Sequence, residues 1–232
     1  VVVVKFDREF ARLSPESFCR LVLSERLQTK MVFVGENFRF GREGSGGHAE
    51  LAEYGRSHRF EVQAVGLVED QEGPISSTRI RALLRSGRVQ EAARLLGRPH
   101  RLEGPVTRGV GRGHALDAPT ANVAVAREMT LPRSGVYVTW TTLRGGRSYP
   151  SVTSVGTNPT FENTRKIRVE TLLLDCDIDL YGTRLAVDFL ERIRAQKAFP
   201  DAESLSLQIQ ADIAVAREAH AERRLLLSAE WR

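Results

Sequence analysis

The residues best suited to chemistry lie in one run, Gly109-Val110-Gly111-Arg112-Gly113-His114-Ala115-Leu116-Asp117-Ala118-Pro119-Thr120-Ala121-Asn122. Three glycines in five positions let the backbone approach a ligand closely and expose amide donors. That arrangement suits phosphate oxygens, and Arg112 adds charge. Thr120 and Asn122 alternate on an extended segment, so both side chains point the same way and offer two neutral oxygens to a magnesium ion. Each feature alone has a plainer reading, since most glycine-rich turns are only turns and Thr120 and Asn122 can equally satisfy turn amides. The joined pattern G-R-G followed by P-T-A-N is the stronger signal.

The elements around this run divide the chain into two characters. Before Pro99, strand-like and helix-like patterns alternate: Val1–Val4 reads as a buried strand, Ser14–Lys30 as a helix and Met31–Val34 as a strand. Ser14 followed by Pro15 is a good N-cap with proline at the first helical position. Phe60–Val65 alternates as a strand. A helix then opens near Ser76 or Ser77, carries Ile80, Leu83 and Leu84 on one face and stops at Gly87. The next helix buries Val89, Ala92, Ala93, Leu95 and Leu96 and ends at Gly97. A parallel α/β layer accounts for this half.

After Pro99 short β-rich segments follow, punctuated by glycine and proline: Gly135–Trp140, Ser151–Val155, Val169–Leu174 and Leu185–Ile193. Strands at this spacing suggest a barrel or sandwich. A last helix from about Ala202 to Leu226 places Leu205, Ile209, Ile213 and Ala216 at helical intervals and packs over the barrel. The boundary falls near 98, giving domains 1–98 and 99–232.

With 232 residues, 41% of them hydrophobic and 27% charged, the chain can bury cores without disulfides or metals. A net charge of +5, spread mainly over scattered arginines, favours anionic partners but reads equally as a solvated surface. Cys19 and Cys176 stand far apart in no metal-ligand spacing, as expected of thiols in a reducing cytoplasm. No run approaches a membrane span, and no nucleic-acid motif or clustered aromatic platform is present. A small-molecule partner is therefore expected, with no nucleic acid and no membrane; a homo-oligomer is left open.

The ordered segments after Pro99 resemble riboflavin kinases: the GRG…PTAN run, Gly135-Val136-Tyr137, Val155-Gly156-Thr157-Asn158-Pro159-Thr160-Phe161, Val169-Glu170-Thr171, Asp179-Leu180-Tyr181-Gly182 and Ile193-Arg194…Lys197-Ala198-Phe199. The resemblance covers 99 to about 217. It implies an antiparallel β-barrel with a terminal helix that moves the γ-phosphate of ATP onto the riboflavin 5′-hydroxyl to give FMN. It further implies Glu170 as catalytic base, Gly111, Arg112 and Gly113 over ATP, Thr120 and Asn122 on Mg²⁺ and phosphates, and Arg194 and Phe199 beside the flavin. On spacing alone Glu170 is an outward-facing strand residue, Arg194 a surface residue and Phe199 core.

The first half is similar to the adenylyltransferase half of the bacterial bifunctional riboflavin kinase/FMN adenylyltransferases. The matching stretches are Phe6-Asp7…Phe10-Ala11, Val34–Gly41, Ile75–Arg81 and Leu96–Pro99. This implies an α/β, Rossmann-like nucleotidyltransferase remnant in which Asn37, Ser76, Ser77, Thr78 and Arg81 belong to the nucleotide site. The family's histidine-containing opening motif is absent from these 232 residues. The expectation is therefore a chain that starts inside that domain and converts FMN to FAD poorly. Four positions depart from the kinase pattern. Asp117 and Ala118 stand where relatives carry glycine and an aromatic residue, Asn158 replaces an arginine and Gln196 a glutamate. A carboxylate at Asp117 would weaken nucleotide binding by charge repulsion. A flavin-binding protein without kinase activity is one alternative, and a basic barrel that binds nucleic acid is another.

Overall fold

The computed structural model describes residues 1–107, 120–157, 167–176 and 178–229, which form two compact units, Val1–Ile75 and Ser76–Arg232. The expected kinase loop residues Gly111, Arg112 and Gly113, the departures Asp117 and Ala118, and Asn158 lie outside the described residues.

In the first unit, α1 (Pro15–Phe18) starts where expected. Ser14 Oγ accepts from the Ser17 amide at 3.1 Å, and Pro15 occupies the first turn. The helix then widens into a π-helical stretch, Cys19–Arg26, and ends before Lys30. β1 (Met31–Gly35) and β2 (Glu61–Val65) pair in parallel from Met31 opposite Glu61 to Gly35 opposite Val65, with α2 (His48–His58) as the crossover that parallel strands require. Cys19, Phe40, Leu51 and Phe60 make the core beneath them. A small hairpin, β3 (Glu69–Asp70) and β4 (Gly73–Pro74), follows. Val1–Val4 is not the expected buried strand: it has no regular structure and all four side chains are exposed. A valine run specifies a strand only where a sheet edge receives it, and among the described residues none pairs with it.

The second unit opens with two helices, α3 (Ser77–Ser86) and α4 (Val89–Leu96). Ser76 caps α3 by accepting from the Arg79 amide at 3.2 Å, and Gly87 and Gly97 end the helices at φ 85° and 68°, conformations natural to glycine. Leu83, Leu84, Val89 and Ala92 join one buried cluster with Leu102, Tyr137, Val187 and Phe189 of the barrel. The two compact units divide at 75/76. The apolar stripes of α3 and α4, visible in the sequence, are buried against the barrel.

Six strands close that barrel: β5 (His100–Thr107), β6 (Ala121–Val123), β7 (Gly135–Leu143), β8 (Ser148–Gly156), β9 (Arg168–Leu173) and β10 (Arg184–Ala195), in the order β10-β5-β6-β9-β8-β7 with antiparallel pairing. β5 alternates Leu102, Gly104 and Val106 inward with Arg101, Glu103, Pro105 and Thr107 outward. Gly104 is required there, because a Cβ would lie 2.0 Å from the Ala124 carbonyl oxygen. The C-terminal helix (Ala202–Ala229) lays Ile209, Ile213, Ala216 and Ala219 over Val136, Val138 and Val152.

Candidate active site on the barrel wall

Cross-strand register brings three of the expected kinase residues, Asn122, Glu170 and Arg194, onto one line. Thr107 pairs with Asn122, Asn122 with Glu170, Glu170 with Ser154, Ser154 with Val136, and Val136 with Arg194. This row crosses all six strands. Directly opposed residues of antiparallel strands project to the same face. Here that face is the outer wall, since the flanking positions Ala121, Val123, Val169, Thr171, Val155 and Tyr137 are all buried. The row does not close on itself: β10 meets β5 between Arg184 and Phe189, short of Arg194.

Asn122 and Glu170 are immediate neighbours, with Cβ atoms about 4.5–5.5 Å apart by sheet geometry. Both are half-buried, and Thr120, exposed, immediately precedes β6. The Asn122 amide oxygen and the Thr120 hydroxyl are hard oxygen donors. Such a set fits a magnesium ion that keeps its waters and shares substrate phosphates, rather than one held in an all-protein cage. Among the described residues, no three His, Cys, Asp or Glu side chains gather into a metal cluster. The Arg168 guanidinium lies 4.0 Å from the Glu170 carboxylate on the same strand face.

Behind Glu170 the barrel interior is polar. Thr139, Thr141, Ser151, Thr153 and Thr171 are fully buried and satisfy one another. Thr139 Oγ1 is 2.8 Å from both Ser151 Oγ and Thr153 Oγ1, Thr141 is 2.8 Å from Ser151 and 3.1 Å from Thr171, and Thr153 is 2.9 Å from Thr171. Five hydroxyls in one network fix the relative register of β7, β8 and β9, and so the position of Glu170 beside Thr171.

Arg194 lies three strands from Glu170, about 14 Å along the wall at ~4.8 Å per strand. It is not the solvated residue that spacing alone suggests. Its Nε and Nη2 donate to the two oxygens of Asp212 at 2.8 and 2.7 Å, and Nη1 donates to the Ala195 carbonyl at 3.0 Å. Asp212 is 4% exposed. The guanidinium and the Lys197 ammonium sit 5.8 and 5.1 Å from the centre of the Phe199 ring, which is half-buried rather than core. Gln196 packs over the end of β8: a Cβ on Gly156, whose φ is 155°, would lie 1.7 Å from Gln196 Oε1.

Two groups escaped the sequence reading. Ser154 stands in the row beside Glu170, and the alternation of β8 could have flagged it as outward. Asp212 follows Gln208 by one helical turn beside the apolar stripe, where a carboxylate signals a buried partner.

The residues expected in the adenylyltransferase site divide between the two units. Asn37 lies exposed just past the C-terminal end of β1, where open parallel sheets bind ligands, and its Oδ1 approaches Gly35 closely enough to sit 3.2 Å from a Cβ there. Ser76, Ser77, Thr78 and Arg81 are exposed on the first turns of α3. Ser76 is occupied as the cap, and Arg81 Nη2 reaches Thr78 Oγ1 at 3.5 Å.

The model of the riboflavin kinase family matches residues 96–220 and that of FAD synthetase residues 1–79. The bifunctional riboflavin kinase/FMN adenylyltransferase of Escherichia coli strain K12 is 34% identical over 218 residues, spanning 94% of this chain and 69% of the relative. The chain belongs to this bifunctional family. A riboflavin kinase/FMN adenylyltransferase from Pseudomonas fluorescens is 35% identical with the same coverage of both chains. A solved structure described as a macrolide-efflux protein from Streptococcus pneumoniae is 34% identical, with a TM-score of 0.78, and covers 92% of this chain and 68% of that one. Its likeness establishes a shared fold. Among the described residues no helix is long and apolar enough to cross a membrane.

Proposed function

We propose that residues from about 99 onward transfer the γ-phosphate of ATP to the 5′-hydroxyl of riboflavin, giving FMN, with Glu170 as the base. The observation that carries this reading is the row itself. It sets a carboxylate next to Asn122, while the segment expected to border the flavin ring leaves the same wall about 14 Å away. A substrate whose reacting hydroxyl ends a ribityl chain needs such a separation between base and ring contacts.

Glu170 accepts the proton of the hydroxyl as its oxygen attacks the γ-phosphorus. The bond from that phosphorus to the bridging oxygen of ADP breaks. Thr120 and Asn122 hold Mg²⁺, which when bound neutralises charge on the phosphates. Gly111, Arg112 and Gly113 cover ATP, and Arg194 and Phe199 border the flavin. Asn37 in the first unit, and separately Ser76, Ser77, Thr78 and Arg81 in the second, keep the adenylyltransferase roles that the resemblance implies. The free thiols Cys19 and Cys176 support a cytoplasmic setting.

The test is product formation. Riboflavin, ATP and Mg²⁺ incubated with the protein yield FMN on chromatography. Binding of both substrates without FMN above a protein-free control would sink the kinase assignment and select a flavin-binding protein.

A further inference from the structure

Arg194 carries the flavin assignment together with Phe199, yet the geometry leaves it poorly placed to act as a direct ligand. The Nε–Nη2 edge, the fork that clasps planar anions, is spent on Asp212, at 2.8 and 3.1 Å from Nε and 2.7 Å from Nη2. Asp212 in turn accepts from Gln208 Nε2 at 3.0 Å, Gln208 Oε1 accepts from Lys197 Nζ at 2.7 Å, and Lys197 and Arg194 both lie against the Phe199 ring. The contacts form a closed circuit, Arg194–Asp212–Gln208–Lys197–Phe199. It ties the segment after β10 to the C-terminal helix.

Resting on the kinase reading above, we infer that Asp212 is a positioning residue for riboflavin: through Arg194 and Gln208 it holds Phe199 as the aromatic wall of the flavin site. Three features of the circuit support this. Asp212 is the buried member, and its carboxylate is bound on both oxygens, so it has one orientation. The residues it fixes sit around an aromatic ring that is only half-buried, in a segment without regular structure from Gln196 to Asp201. A loop that must present a ring in one place needs such an anchor, because ordering it only on binding would cost affinity. Arg194, which Asp212 grips, lies on the same cross-strand row as Glu170, so base and ring wall are referenced to one rigid barrel.

Removing Asp212 alone would strand a largely desolvated guanidinium, 20% exposed, and disturb the site, so the decisive variant replaces both partners, Arg194→Met with Asp212→Leu. Such apolar exchanges of buried pairs keep stability. Gln208→Ala is the milder companion. Riboflavin binding is measured by quenching of its fluorescence, and turnover by FMN formation. The expected result is a riboflavin Kd and KM raised about two- to tenfold, the size of one lost aromatic contact, with ATP KM and kcat unchanged. In a Phe199→Leu background the double replacement should add nothing, because the clamp acts through that ring. Wild-type riboflavin affinity in a folded double variant would overturn the inference, as would full additivity with Phe199→Leu or a wild type that binds no riboflavin. Weakened binding in the variants, with no FMN from the wild type, would uphold the clamp and sink only the kinase reading.

Discussion

Replacing Glu170 by glutamine separates chemistry from folding more cleanly than any other substitution here. Glutamine keeps the shape and the place beside Asn122 and Ser154 but cannot accept the proton. General-base catalysis contributes about 10²–10⁴-fold, so kcat should fall by that factor, or about 3–5 kcal/mol of barrier. The structural cost is far smaller. The carboxylate is 4.0 Å from Arg168 and both side chains are about a quarter exposed, at 25% and 24%. A pair that long and that wet is worth about 0–1 kcal/mol, so the melting temperature should move by no more than ~4 °C in a unit of this size. The assay is steady-state FMN formation at saturating ATP and riboflavin, run beside thermal unfolding and riboflavin titration. A folded variant that binds riboflavin normally and loses less than about tenfold in kcat, or 1.4 kcal/mol, would refute the role of Glu170.

Other consequences follow from the same geometry. Asn122→Ala removes an oxygen from the proposed metal site, so the Mg²⁺ concentration for half-maximal FMN formation should rise while riboflavin affinity holds; an unchanged Mg²⁺ dependence would count against it. Thr153→Val leaves Thr139 and Thr171 short of a buried partner and should cost about 1–3 kcal/mol, read as a lowered urea midpoint. Gly156→Ala adds a side chain at φ 155° against Gln196 and should cost about 1–3 kcal/mol, with a wild-type midpoint as the contrary result. His220 lies 8% exposed against Trp140. Burial pushes its pKa below the usual 6.5, and the nearby carbonyls of Ser151 and Thr139 oppose that shift without meeting hydrogen-bond geometry. The folded protein therefore prefers the neutral ring. Its contribution is present above about pH 6.5 and is lost as pH falls through the lower folded-state value. Melting temperatures taken from pH 8 to 5 should fall, and less steeply in His220→Phe.

Much of this architecture was legible in local pattern. A serine cap at Ser76 or Ser77, Gly87 and Gly97 as stops, and the stripe Ile209, Ile213, Ala216 each follow from one residue type meeting one geometric need; the cap is Ser76, and the stops and stripe appear where the pattern put them. Val1–Val4 misled because strand propensity says nothing about whether an edge is available. The packing of α3 and α4 against the barrel was hidden for a similar reason: an apolar helix face declares that it is buried, not against what. Glu170 and Asn122 could be named from motif order, but their adjacency comes from register between β6 and β9, strands separated by β7 and β8 in the chain. The Arg194–Asp212 pair spans two elements and left only one trace in sequence, a carboxylate beside an apolar stripe.

The central claim is that this barrel moves phosphate onto riboflavin, and following the phosphate tests it most directly. With ATP labelled at the γ-position, Mg²⁺ and riboflavin, the account predicts label appearing in FMN in step with ADP release, and no labelled FMN without protein. ADP and free labelled phosphate with unlabelled flavin, or riboflavin bound and recovered unchanged, would contradict it.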